Sequence, residues 1–125
     1  MPLPQPLRCV ITAMITPLTH RGTLDGPGLA RLVEHLISGG VHGLFILGTT
    51  GEGPALPRRL QTEVIERTCE HVAGRVPVIV GVTDTVLEEA VELAAKAKEL
   101  GAQAVVTSAP FYYGASQAEL LTYLE

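Results

Sequence analysis

The sequence predicts an α/β protein, a parallel sheet with helices packed outside it. Three observations carry this. Short apolar runs alternate with longer stretches of helical periodicity from Cys9 to Glu125. The runs are continuous rather than alternating apolar with polar, which marks strands covered on both faces. The connections are short and rich in Gly, Pro and Thr. An open doubly wound sheet and a closed (β/α)8 barrel both satisfy this alternation.

"CVITAMI" (Cys9–Ile15) is apolar and β-branched, and stops at Thr16-Pro17. "GLARLVEHLISGG" then places Leu29, Leu32, Val33, Leu36 and Ile37 on one helical stripe, with Gly39-Gly40 as the stop. "GLFILG" (Gly43–Gly48) is the second strand. Pro57 suits a helix first turn, and Leu60, Val64, Ile65 and Cys69 follow at helical spacing. "VPVIVGV" (Val76–Val82) is the third strand. "TVLEEAVELAAKAKELGA" is an alanine-rich helix with Thr85 as candidate N-cap and Gly101 as stop. "AQAVVTSAP" (Ala102–Pro110) is the fourth strand. In "SQAELLTYLE", Ser116 and Glu119 have capping-box spacing. The last helix runs only about two and a half turns, without a C-cap glycine, and reads as cut in mid-architecture. The expected organisation is an N-terminal tail over residues 1–8 and one partial domain over 9–125.

Composition narrows the function. The chain is 46% hydrophobic and 18% charged, which places it among ordered proteins. A net charge of −4 with no basic patch argues against nucleic acid as the main partner. No apolar run approaches the roughly 18 residues of a membrane span. "MPLPQPLR" has three prolines and no apolar core, unlike a signal peptide. A cytoplasmic protein is expected. Cys9 and Cys69 form no CxxC pair and no zinc pattern with the four histidines, so reduced thiols, no metal and no cofactor are expected.

The chemistry concentrates at two strand ends. "LFILGTTGEGPAL" (Leu44–Leu56) runs an apolar strand into a turn of glycines and adjacent threonines. In parallel α/β folds ligands bind at the carboxyl ends of strands. Glycines let backbone approach a ligand, exposed N–H groups make an anion cradle, and two hydroxyls add donors. A small carboxylate or phosphate is the natural guest. No Gly-Lys-Ser/Thr follows, so this is no P-loop, and the spacing is wrong for GxGxxG. A plain strand-to-helix turn of small residues is the competing reading. "APFYYGASQ" (Ala109–Gln117) brings Tyr112 and Tyr113 to the end of the fourth strand, where phenols can relay protons or merely pack.

Together, "ITAMITPL", "GTTGEG", "VPVIVGV" and "GAQAVVTSAPFYYGASQ", in this order, resemble the dihydrodipicolinate synthase/N-acetylneuraminate lyase family. The resemblance runs from Cys9 onward. It implies the first half of a (β/α)8 TIM barrel, four parallel strands alternating with helices. It also implies a pyruvate-dependent aldolase or lyase acting through a lysine Schiff base, whose protonated imine is an electron sink. By this resemblance Thr50 and Gly51 hold the carboxylate of pyruvate or a related 2-keto acid. Thr49 and Tyr112 join a hydroxyl–phenol proton relay, Tyr112 in many relatives within a neighbouring subunit's site, so a homo-oligomer is implied. Glu52 is expected to fix the turn. "GTTGE" leans toward the synthase branch.

The chain departs from the family pattern at Gly53, where relatives often carry Ser or Thr, and at Pro57, in place of a capping residue. The family's Schiff-base lysine lies on a sixth strand. The two lysines here, Lys96 and Lys98, sit on a helix, Lys96 four residues after Glu92, which favours its charged form. Neither suits a nucleophile, which must be largely neutral. The 125-residue chain alone is therefore expected to be inactive. A non-catalytic half barrel that binds a small carboxylate or pairs with a partner chain is the alternative, and a small flavodoxin-like domain a third reading.

Overall fold

The computed structural model describes residues 10–125. The expected tail over residues 1–8, and Cys9, lie outside the described residues. The elements are β1 (Ile11–Ala13), β2 (Leu18–His20), β3 (Thr23–Leu24), α1 (Gly26–Ser38) and β4 (Gly43–Ile46). A 3-10 turn (Gly53–Ala55) precedes α2 (Arg58–Val72), β5 (Val78–Gly81), α3 (Leu87–Glu99), β6 (Ala104–Val106) and α4 (Gln117–Leu124).

β1, β4, β5 and β6 form one parallel sheet in that order, with Ile11 beside Gly43, Leu44 beside Val78 and Ile79 beside Ala104. Each strand therefore lies next to its predecessor, and the order never reverses. Right-handed crossovers on an order that never reverses carry every helix to one side. This is the winding of a barrel, not of a doubly wound sheet, and it matches the first half of a (β/α)8 barrel.

The two faces of the sheet differ accordingly. Leu44, Ile46, Val78 and Val80 point at the helices and are buried against Leu29, Val33, Leu60, Val64, Ile65 and Leu93. Each such side chain contributes about 1.5–3 kcal/mol of burial. The alternate residues Phe45, Gly81 and Val106 face the other way, into an open cleft.

The helical stripes lie where periodicity puts them. Leu29 and Val33 are buried, with Leu32, Leu36 and Ile37 packed beside them. Gly39 caps α1 and Gly40 takes the left-handed conformation, φ 83°. Ser116 and Glu119 form the full capping box of α4. Three local expectations need correction. Thr85 does not cap α3: Val86 holds that position, and the Asp84 carboxylate accepts from the Val86 N–H at 3.0 Å instead. This Asx-type turn carries the chain one residue further before the helix begins at Leu87. Pro57 sits one residue before the helix, in extended conformation at the N-cap. Lys96 pairs with Glu99 at 3.0 Å rather than with Glu92.

An unforeseen feature is the β2–β3 hairpin, antiparallel, turning at Gly22 (φ 74°). It delivers Asp25, whose carboxylate accepts from the Gly28 N–H at 2.9 Å and starts α1. The hairpin is docked by Arg59, which donates to the Gly22 carbonyl at 3.0 Å.

Candidate active site

At the carboxyl end of β4 the chain must leave a buried strand and reach α2 across the top of the sheet. Leu47 makes the first bend in the left-handed region (φ 58°), although it carries a side chain. Two glycines make room for it. A Cβ on Gly53 would lie 2.0 Å from the Leu47 carbonyl oxygen, and one on Gly81 2.5 Å from it. The turn is then closed by the Glu52 N–H donating to Thr49 O at 3.1 Å and the Gly53 N–H to Gly48 O at 3.1 Å. Glu52 also sits at positive φ (54°), a second bend of the backbone within the turn.

Two side chains clamp the turn from outside. The Thr16 hydroxyl donates to the Gly51 carbonyl at 2.7 Å. The buried Gln61 amide donates to the Gly53 carbonyl at 2.7 Å. Arg58 orients Gln61 (2.8 Å) while bonded to Asp84 and Glu89 at 3.1 and 2.8 Å. Carbonyls are thus drawn away from the site. Among the described residues, the backbone N–H groups of Thr49, Thr50 and Gly51 and both threonine hydroxyls have no protein partner. Runs of open backbone donors are the raw material of anion-binding concavities.

The turn borders a cleft of about 430 Å³ at the carboxyl ends of the strands. Thr49 lines it, together with Phe45, Thr83, Val106, Ser108 and Phe111. Thr50 and Gly51 lie beside it in the turn but do not form its wall; Gly51 is buried against the Met14 carbonyl. Tyr112 follows Phe111 in the loop after β6 and projects into solvent, 88% exposed, in a left-handed conformation (φ 78°). Its ring meets that of Tyr113 edge to face, 4.9 Å between centroids. Positive φ on an aromatic residue is strained and tends to occur where function requires it. Thr49 and the Tyr112 loop therefore share one end of the sheet, while the Tyr112 phenol stays outside the cleft.

Sequence reasoning passed over Thr83 and Ser108, the hydroxyls at the ends of β5 and β6. The signal was present, since both follow directly on apolar strands in "VGVT" and "VVTS". Neither lysine lines the cleft; both ride on α3. Burial pushes the Cys69 thiol up to about 11, so it stays protonated and unreactive. Among the described residues no group of three or more His, Cys, Asp or Glu could hold a metal ion. No helix described is long and apolar enough to cross a membrane.

The model of the dihydrodipicolinate synthetase family matches residues 6–125. The chain belongs to this family.

Within the family, the 4-hydroxy-tetrahydrodipicolinate synthase of Bartonella quintana is 38% identical over 117 residues, covering 94% of this chain and 40% of that protein. The dihydrodipicolinate synthase structure from Bacteroides thetaiotaomicron superimposes with a TM-score of 0.90 at 47% identity, over 94% of this chain and 40% of that one. A prophage protein of the family from E. coli K12, solved in complex with pyruvate, gives a TM-score of 0.89 at 37% identity, over 93% and 39% of the two chains. The chain thus spans about 40% of the length of these relatives.

Proposed function

We propose that this chain carries the carboxylate-receiving part of a pyruvate-dependent carbon–carbon lyase or synthase, most like 4-hydroxy-tetrahydrodipicolinate synthase. The observation that carries the proposal is the cradle of open N–H and hydroxyl donors at Thr49–Gly51, bordering the cleft at the strand ends. The pyruvate complex of the E. coli relative supports the choice of guest. Thr50 and Gly51 bind the carboxylate, which leaves the 2-keto carbon facing the cleft. Thr49 and Tyr112 pass the proton that imine formation and carbon–carbon bond formation must move. Tyr112, strained and projecting, serves the site of a neighbouring copy in a homo-oligomer. The enzyme is cytoplasmic.

The reaction also needs a neutral lysine, and Lys96 and Lys98 are not candidates. Lys96 is held by Glu99, and both lie on α3 away from the cleft. The 125-residue chain therefore binds pyruvate without forming the imine. That same observation favours, as a second reading, a half barrel that only captures carboxylates. Two measurements test the primary reading. Pyruvate with borohydride leaves the mass of the chain unchanged, and equilibrium dialysis shows bound pyruvate that is lost in Thr50→Val. A pyruvyl adduct on Lys96 or Lys98, or equal binding by Thr50→Val, contradicts it.

A further inference from the structure

The cleft that Thr49 lines holds a second polar element. Thr83, just past β5, and Ser108, just past β6, face each other across adjacent strands, with 3.3 Å between their hydroxyl oxygens. The Ser108 N–H also donates to Thr83 Oγ1 at 3.0 Å, which fixes that oxygen in place. The remaining wall near them is apolar: Phe45, Val106 and Phe111.

A hydroxyl offers one donor and two acceptor sites. Thr83 Oγ1 spends one acceptor site on the Ser108 N–H. If Ser108 donates to Thr83, the Thr83 proton is left over. If Thr83 donates to Ser108, the Ser108 proton turns to the Ala109 carbonyl at 3.4 Å, a long and weak bond. In both arrangements the pair keeps a donor to spare and open lone pairs beside it. The guest that satisfies both is itself a hydroxyl. A carboxylate would want donors only, and its place is the Thr49–Gly51 cradle.

We infer that Thr83 and Ser108 form a specificity subsite for a hydroxyl carried by a 2-keto acid, about one strand spacing from the carboxylate cradle. Adjacent strands are about 4.8 Å apart, which corresponds to a hydroxyl on the fourth carbon. A 4-hydroxy-2-keto acid is the class of compound that joining pyruvate to an aldehyde produces. The subsite therefore reads the oxygen of the second substrate. The pair is reachable by water, so a guest's hydroxyl gains about the worth of one hydrogen bond over a guest that lacks it. The inference rests on the proposed carboxylate cradle.

Equilibrium dialysis of the 125-residue chain with 4-hydroxy-2-oxobutanoate and with 2-oxobutanoate tests it, since the two differ by one hydroxyl. The chain binds the hydroxy acid tighter by roughly three- to tenfold, the worth of one hydrogen bond. Thr83→Val and Ser108→Ala bring the ratio to about one and leave 2-oxobutanoate binding unchanged; Thr83→Ser, which keeps the hydroxyl, keeps the preference. Thr50→Val weakens both acids alike. A ratio untouched by Thr83→Val and Ser108→Ala overturns the subsite while the cradle stands. Equal binding of both acids by Thr50→Val and the parent chain overturns the cradle itself, and with it the subsite.

Discussion

The carbonyl oxygen of Leu47 decides more of the local structure than any side chain in the turn. It occupies the space where Gly53 and Gly81 have no Cβ, 2.0 and 2.5 Å from where one would stand. Gly81→Ala therefore forces either β5 or the turn to move. Overpacking of this kind costs about 1–3 kcal/mol. Urea denaturation of the variant shows a loss of that size, accompanied by weaker pyruvate binding; an unchanged midpoint contradicts the geometry. The residues at this scale were partly legible. Adjacent threonines between glycines at a strand end pointed to the turn, which a ligand cradle and a plain strand-to-helix connection explain about equally. Gln61 and Thr16 gave no such signal. A glutamine on a helix and a threonine before a proline are ordinary, and only the fold brings them onto the Gly53 and Gly51 carbonyls. Thr83 and Ser108 stood visibly at strand ends, but only the fold sets one hydroxyl opposite the other.

At the level of elements, periodicity performed best where burial is one-sided. The apolar stripes of α1 and α2 lie on the core, and the Ser116–Glu119 box starts α4. The β2–β3 hairpin escaped because its two and three residues carry no alternation. Its turn at Gly22 is legible only once Arg59 is seen to hold it. Thr85 failed as a cap because the helix starts one residue later, after Val86, while the Asp84 carboxylate takes the Val86 N–H. The capping box has a pH signature. The Glu119 carboxylate accepts from the Ser116 N–H at 2.7 Å, and that backbone bond, then the Ser116 hydroxyl, holds its pKa below the ordinary glutamate value. A pKa lowered on folding adds stability above the unfolded value and loses it as pH falls through the folded one. α4 therefore frays as pH falls from the ordinary glutamate range down through the lowered value of Glu119. Amide exchange along Gln117–Leu124 rises there, and Glu119→Gln flattens that rise. Exchange in α4 that is indifferent to pH across this range, after correction for intrinsic rates, contradicts the assignment.

Across the whole molecule, the sheet is half of a cylinder. β1 and β6 are its outer strands, and Phe45 and Val106 line a face that a closed barrel would cover. Val105, Leu121 and Leu124 add exposed apolar surface near β6 and α4. Unpaired strand edges beside apolar surface recruit further chains. The isolated 125-residue chain forms dimers or larger species in light scattering, whereas a sharp monomer with cooperative unfolding contradicts this. The alternation of strands and helices was enough to read a parallel sheet, but not its winding. Strand order separates a barrel from a doubly wound sheet, and order depends on contacts between residues far apart in the chain. The central claim is that the Thr49–Gly51 donors receive the carboxylate of a 2-keto acid. Hydrogen exchange read by mass spectrometry, with and without pyruvate, tests this whatever the association state. Protection by pyruvate in the peptide spanning Leu44–Leu56 is the predicted result; no protection there, or protection confined to other peptides, contradicts the claim.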